Sequence, residues 1–206
     1  MSKWLMAKRY VLTIGAILLV TAVPLLTSCE EDKEPVGPTP AAFTYPHMNG
    51  AEWIYSYKGQ NVAKYTISGT YNHPTAGETQ NLYEYVMAEG GWQPNYLYYL
   101  KVSDSDARIY LHPQESKFII LLKFPLKDGG SWDAGQGLTA NVSGPEEVSV
   151  PAGSFSCYKI DYTSAAMNFT FWWPSKVGGM GAKNHGWWNI GGTPITVELA
   201  SYNLPT

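Results

Sequence analysis

Asn81-Leu82-Tyr83-Glu84-Tyr85-Val86-Met87-Ala88 changes character residue by residue, with Tyr83, Tyr85 and Met87 on one side of the alternation. A period of two belongs to a β-strand, whose successive side chains point to opposite faces. Gly90-Gly91 follows and supplies a hairpin turn into a second strand over 95–102. Working outward, the same signature recurs. Residues 51–57 enter through Asn49-Gly50, 62–68 follow, and 72–77 read as a loop from their turn residues. Beyond the hairpin, Ser103-Asp104-Ser105-Asp106 turns the chain into 108–112, and Pro113-Gln114 breaks it again. Residues 117–123 hold Phe118, Ile119, Ile120, Leu121 and Leu122 in a row, which predicts a central strand covered on both faces.

Further strands are expected at 138–143, 147–150 and 154–163, the last with Tyr158, Ile160 and Tyr162 on one face. Met167, Phe169, Phe171 and Trp173 alternate in the next strand, and Ile195, Val197 and Leu199 in the final one. No segment after residue 40 shows apolar spacing of helical period and length. Ten or eleven short strands with hairpin-length links predict one all-β antiparallel domain over 43–206. A barrel-like sheet, closed or half-open, and a β-sandwich both satisfy the pattern.

The N-terminal region is of another kind. Lys3, Lys8 and Arg9 precede an apolar run over 10–26, and Leu26-Thr27-Ser28-Cys29 closes it. Basic start, apolar core and a small-residue approach to cysteine resemble bacterial lipoprotein signals. At roughly 17 residues the run is near the minimum for a spanning helix, and Thr21 and Pro24 weaken it as a permanent span. The resemblance implies cleavage after residue 28 and a lipidated Cys29 carrying several acyl chains of the palmitate type, enough for stable anchoring. Residues 29–42 then form a disordered tether: Glu30-Glu31-Asp32-Lys33-Glu34, then the Pro-rich Pro35–Pro40. The acidic patch resembles the surface-export signal of Bacteroidota lipoproteins and reads equally as a solvated tether. The implied location is the outer membrane, periplasmic or surface-facing.

Composition narrows the function further. Residues 1–28 carry three basic residues and no acid, so the remainder has a formal charge of −6 against −3 for the whole chain. A domain with that balance is expected to be a poor nucleic-acid binder, because phosphate binding needs a basic patch. Cys29 is consumed by lipid, which leaves Cys157 without a disulfide partner. Cys157 lies in an alternating segment and reads as a small buried hydrophobe.

Three motifs stand together in the β-region. Phe124-Pro125-Leu126-Lys127-Asp128-Gly129-Gly130-Ser131-Trp132 has the form P-x-K-x-G-x-x-W. Val150-Pro151-Ala152-Gly153-Ser154-Phe155 has the form V-P-A-G-x-F. Trp173-Pro174-Ser175-Lys176-Val177-Gly178-Gly179 precedes a closing strand. Over about 45–204 this resembles uncharacterised, TapB-like bacterial envelope domains, and implies a barrel-like or half-barrel sheet with no assigned catalytic residues. Gly178–Gly192 is longer than the short glycine turn usual there.

The chemistry-bearing residues form no catalytic pattern. His47, His73, His112 and His185 lie in or beside loops without metal-ligand spacing. Asp104-x-Asp106 and Asp128…Asp133 do not fit a calcium loop. Gly153-Ser154-Phe155-Ser156-Cys157 is not a nucleophile elbow, and Gly178–Lys183 lacks the ending of a phosphate loop. No metal, cofactor or enzymatic activity is therefore expected. The aromatics are the candidate binding residues: Trp92, Tyr98 and Tyr99 around one hairpin, with Trp172-Trp173 and Trp187-Trp188 bracketing the glycine-rich segment. In a strand one of Trp172/Trp173, and one of Tyr98/Tyr99, should face away from the core. An outward ring is an amphipathic platform for a sugar, a lipid or a protein.

Three functions are open at this point: a non-enzymatic anchored protein that binds or scaffolds through aromatic rings, a carrier of a hydrophobic ligand in a half-open barrel, and a glycan-binding or glycan-processing surface lipoprotein. All three share the anchor. Replacing Cys29 by Ala is expected to leave the β-domain folded and move the chain from the membrane to the soluble fraction. An unchanged membrane fraction would refute the anchor.

Overall fold

The computed structural model describes residues 43–206. The signal, Cys29 and the tether lie outside the described residues. The chain builds one twelve-stranded sheet: β1 (Glu52–Tyr57), β2 (Gln60–His73), β3 (Gly77–Ala88), β4 (Gly91–Val102), β5 (Asp106–Tyr110), β6 (Phe118–Lys123), β7 (Ser131–Gly135), β8 (Leu138–Val150), β9 (Gly153–Thr163), β10 (Asn168–Pro174), β11 (Lys183–Ile190) and β12 (Thr193–Asn203). Every pairing is antiparallel, and the order is β6-β5-β4-β3-β2-β1-β12-β11-β10-β9-β8-β7. That is chain order run cyclically: β1 pairs with β12, and the two free edges, β6 and β7, are consecutive in sequence. The sheet curls into a nearly closed barrel, which resolves the choice between barrel and sandwich.

Side chains bridge the gap between β6 and β7. Trp132 Nε1 on β7 donates to the Ile120 carbonyl of β6 at 3.3 Å, and the Tyr162 hydroxyl donates across the interior to the Leu121 carbonyl. Edge carbonyls that would otherwise lie unpaired inside the barrel are thereby satisfied. So β6 is an edge strand and not the central strand its apolar run suggests. The run arises from a β-bulge: Ala107 pairs with Leu122 and Arg108 with Ile120. Leu121 is the extra residue, and both Leu121 and Leu122 are buried.

Other boundaries also differ from expectation. β2 continues through Asn72 and His73, which pair with Glu78 and Gly77. The two strands expected over 138–150 are one strand, β8, with a register shift between Ser143 and Glu146. β7 and β11 carry too few alternating apolar positions to be read as strands. β11 lies inside the segment taken as a long glycine-rich loop.

Because the strands alternate in direction, the barrel has two distinct ends. One carries the β1–β2, β3–β4, β9–β10 and β11–β12 turns. The other carries the β2–β3, β8–β9 and β10–β11 connections, the start of β1 and the end of β12. Between the ends the interior is filled with side chains. Trp53, Tyr55, Tyr65, Tyr162, Phe171 and Trp173 are its largest fully buried members.

The second end is plugged by the β10–β11 connection. Trp53 Nε1 donates to the Val177 carbonyl at 2.6 Å, and the Tyr45 hydroxyl to the Gly179 carbonyl at 2.6 Å. The Tyr55 hydroxyl donates to the Gly181 carbonyl at 2.8 Å and accepts from the Met180 N–H at 2.8 Å. Gly179 has φ +63°, and a Cβ there would lie 2.7 Å from Trp53 Cγ and 2.8 Å from the Tyr55 hydroxyl. The glycine lets the backbone lie against the rings that hydrogen-bond it.

Tyr55→Phe removes one acceptor and one donor and leaves two buried peptide groups unpaired. The expected cost is about 3 kcal/mol, a fall in Tm of roughly 6–12 °C in thermal unfolding. Gly179→Ala combines overpacking with a left-handed backbone and is expected to cost about 3 kcal/mol as well. Wild-type melting of either variant would refute the plug as a source of stability.

Candidate functional site

The unplugged end holds a pocket of about 330 Å³ between the β3–β4 side and the β10–β11 side of the barrel. Its floor is Glu84, which is only 3% exposed. The burial follows from phase: on β3, Leu82 is buried on the inner face, and Glu84 two residues on shares that face. The carboxylate is held by three donors. The Tyr65 and Tyr98 hydroxyls donate to Oε2 at 2.6 and 3.0 Å, and Asn95 Nδ2 donates to Oε1. An ionised carboxylate accepts only, so this set of donors matches it. Burial, reinforced by Glu84, pushes both phenols above their ordinary range, so they remain donors.

The walls are rings. Phe169 packs 5.1 Å from Trp187, and Tyr98 lies 6.3 Å from Trp187. Trp188 stands edge-on to Tyr65 at 6.5 Å. Trp187 and Trp188 are adjacent, yet both pack against the core. The cause is an enlarged bulge: His185 pairs with Thr196 and Asn189 with Pro194, so Gly186, Trp187 and Trp188 together face Ile195. Gly186 has φ +82°, and a Cβ there would lie 2.7 Å from the Asn168 carbonyl, so the bulge needs glycine. Asn95, Met167 and Asn189 form an exposed rim.

The remaining candidate aromatics do not join this site. Trp173 is fully buried beside Phe171, 5.4 Å away, and is core rather than a platform. Trp172 points the other way and is half-buried. It donates to Glu146 Oε1, with Lys183 Nζ 5.4 Å from its ring. Trp92 is half-buried on another stretch of wall, where Lys64 Nζ lies 5.5 Å from its ring and 4.8 Å from that of Tyr85. Tyr98 and Tyr99 do face opposite ways, but neither is exposed. Tyr99 is covered from outside by Tyr71 and His73, with centroids 4.8 and 6.0 Å away. The seven candidates therefore divide, and only Tyr98, Trp187 and Trp188 meet at one place.

Glu84 and Asn95 were missed. The available signal was a carboxylate in phase with, and directly between, Leu82 and Val86 on β3.

The other reactive groups are accounted for locally. Cys157 is buried against Val148, Ala182 and Trp172, and burial, then Glu147 and Glu146, pushes its thiol up to about 12. That makes it inert. His73 is buried against the His112 carbonyl at 3.1 Å, and His185 contacts Thr196 Oγ1 at 2.8 Å. Among the described residues no three or more His, Cys, Asp or Glu side chains converge as metal ligands.

No protein-family model and no curated protein matches this chain. Two solved structures resemble it. One, from Bacteroides fragilis NCTC 9343, is described as an exported protein with a YmcC-like fold; it is 14% identical over 79% of this chain and 100% of that one, with a TM-score of 0.48. The other, from Parabacteroides distasonis ATCC 8503, is described as a lipoprotein; it is 13% identical over 80% of this chain and 100% of that one, with a TM-score of 0.45. At such identities no side-chain chemistry carries over.

Tyr45, Tyr55, Tyr65, Tyr98 and Tyr162 are all raised above the ordinary phenol range, burial being the first cause in each. Unfolded, these phenols lose their protons near pH 10. Folded, they keep them. Above about pH 10 the unfolded chain therefore binds fewer protons, and stability falls as pH rises. Thermal melts should lose Tm steeply above that pH. Phenolate absorbance should show these five of the 15 tyrosines ionising only with unfolding. Ionisation of all 15 near pH 10 in a folded chain would contradict the burial described here.

Proposed function

We propose that this chain is a lipid-anchored envelope protein that binds a small organic ligand in its barrel mouth and performs no chemistry on it. The observation that carries the reading is Glu84, buried at the floor of a ring-walled pocket and held by Tyr65, Tyr98 and Asn95. The pocket volume is at the low end of small-molecule sites, roughly 300–1,000 Å³. A lone carboxylate among phenols that stay protonated offers no acid–base pair, which supports binding over catalysis.

The anchor rests on the 1–29 signal, with Cys29 lipidated and the protein in the outer membrane, periplasmic or surface-facing; the TapB-like motifs are consistent with an envelope role. The described chain enters at the plugged end, where the Thr44 N–H donates to the Ser175 carbonyl at 3.0 Å. A lipid carrier would keep its cargo where this barrel keeps Trp53, Tyr55, Tyr162 and Trp173, so that reading is weaker. A glycan is the second reading. It is favoured by the rim amides of Asn95 and Asn189.

The test is a thermal-shift panel of small amines, alcohols and sugars on the wild type and Trp187→Ala. At a hundredfold excess over Kd a ligand should contribute about 2.7 kcal/mol, and the variant should lose most of that shift. A panel in which no compound separates the two chains would refute the mouth as a binding site.

A further inference from the structure

The mouth carries a charge that the protein does not balance. Glu84 is buried, and all three of its partners are neutral. No Lys, Arg or His lines the pocket. The ion pairs among the described residues are Lys64–Glu52, Arg108–Asp106, Lys159–Asp161 and Lys183–Glu198, and none reaches Glu84. Lys64, next in sequence to the inward Tyr65, contacts Tyr85 and Trp92 on the opposite side of the sheet. A buried carboxylate without a cation is costly even when hydrogen-bonded.

The surroundings select the missing charge. Tyr98, Phe169, Trp187 and Trp188 present rings around the approach to Glu84. Ring faces attract a cation, and attract it more strongly as water is excluded. A bare metal ion would need several free oxygen or nitrogen donors, and here it would find one carboxylate, two amides and phenols already committed to that carboxylate. A cation with an apolar skin satisfies rings and carboxylate together.

Resting on the reading of the mouth as a ligand site, we propose that it binds an organic ammonium, Glu84 acting as counter-charge and the rings as a cage. The same chemistry occurs in a free amino alcohol and in the headgroup of an amino-alcohol phospholipid.

The test is calorimetric titration of the full chain in a non-ionic detergent with choline, with its uncharged carbon isostere dimethylbutanol, and with glycerophosphocholine as the deacylated headgroup. Choline should bind at least about tenfold more tightly than the isostere, and Glu84→Gln should remove that preference. Gln keeps the size and one acceptor of Glu. Should it fail to fold, the comparison of the two probes on the wild type decides alone. Tighter binding of glycerophosphocholine than of choline would assign the lipid source, and the reverse order a free amine; both uphold the ammonium. Equal binding of choline and dimethylbutanol, sensitive to Trp187→Ala, would overturn the ammonium and leave the mouth as a site. Binding of neither cationic probe, with a sugar from the panel bound instead, would overturn it in the same way. No binding by any compound would overturn both.

Discussion

The peptide groups of Val177–Gly181 lie inside one end of the barrel, and the rest of the structure depends on how they are satisfied. Buried backbone cannot be left without partners. No neighbouring strand reaches this segment, so Trp53, Tyr45 and Tyr55 reach it with their polar tips. This requires large rings standing upright at the base, which fill the lower barrel. It also requires glycine at 178, 179 and 181, where a Cβ would meet Pro46, the Trp53 and Tyr55 rings, and the Trp172 carbonyl. Rings and glycines specify each other. The barrel is thereby closed where the described chain enters and is left with one mouth.

The same device recurs at the seam and at the mouth. At the seam Trp132 and Tyr162 supply donors to β6 carbonyls in place of a thirteenth strand. At the mouth Tyr65 and Tyr98 supply donors to Glu84. In each case a ring contributes apolar bulk and one hydrogen-bonding tip, which is why Trp and Tyr supply most of the largest buried side chains. Cohesion without a disulfide follows, since the sole free cysteine among the described residues, Cys157, serves as a small apolar filler.

Strand periodicity made most of this sheet legible. β10 and β12 alternate cleanly because one face is barrel interior and the other is more open, and β1, β3 and β9 do so over most of their length. The misread elements are those where the period of two is broken. The bulge at Leu121 made an edge strand look central. The shift after Ser143 split β8, and three residues facing one hid β11 inside a glycine-rich stretch. Barrel closure was not legible either, since it depends on β1 meeting β12 from opposite ends of the domain. Of the site, Tyr98, Trp187 and Trp188 could be singled out as rings. Their meeting could not, because it requires β4 and β11 to face each other across the interior. Trp173 failed as a platform because its phase along β10, shared with Phe169 and Phe171, points inward.

Glu84 is the point where folding and function part. Position 84 lies in the row that begins with Leu82, and an apolar side chain there would continue the packing of β3. Exchanging buried ionic groups for well-packed apolar ones is often neutral or stabilising. A carboxylate at 3% exposure, with two phenols and an amide committed to it, is therefore poorly explained as a device for stability. The bulge at Gly186 points the same way. It interrupts the pairing of β11 with β12 to bring two indoles to that one carboxylate, and it leaves the Trp188 Nε1–H without an acceptor. Two departures from an ideal sheet, on opposite walls, converge on the end of the barrel that the plug leaves open. That convergence, more than the number of aromatic residues, marks the mouth as the working end of the molecule.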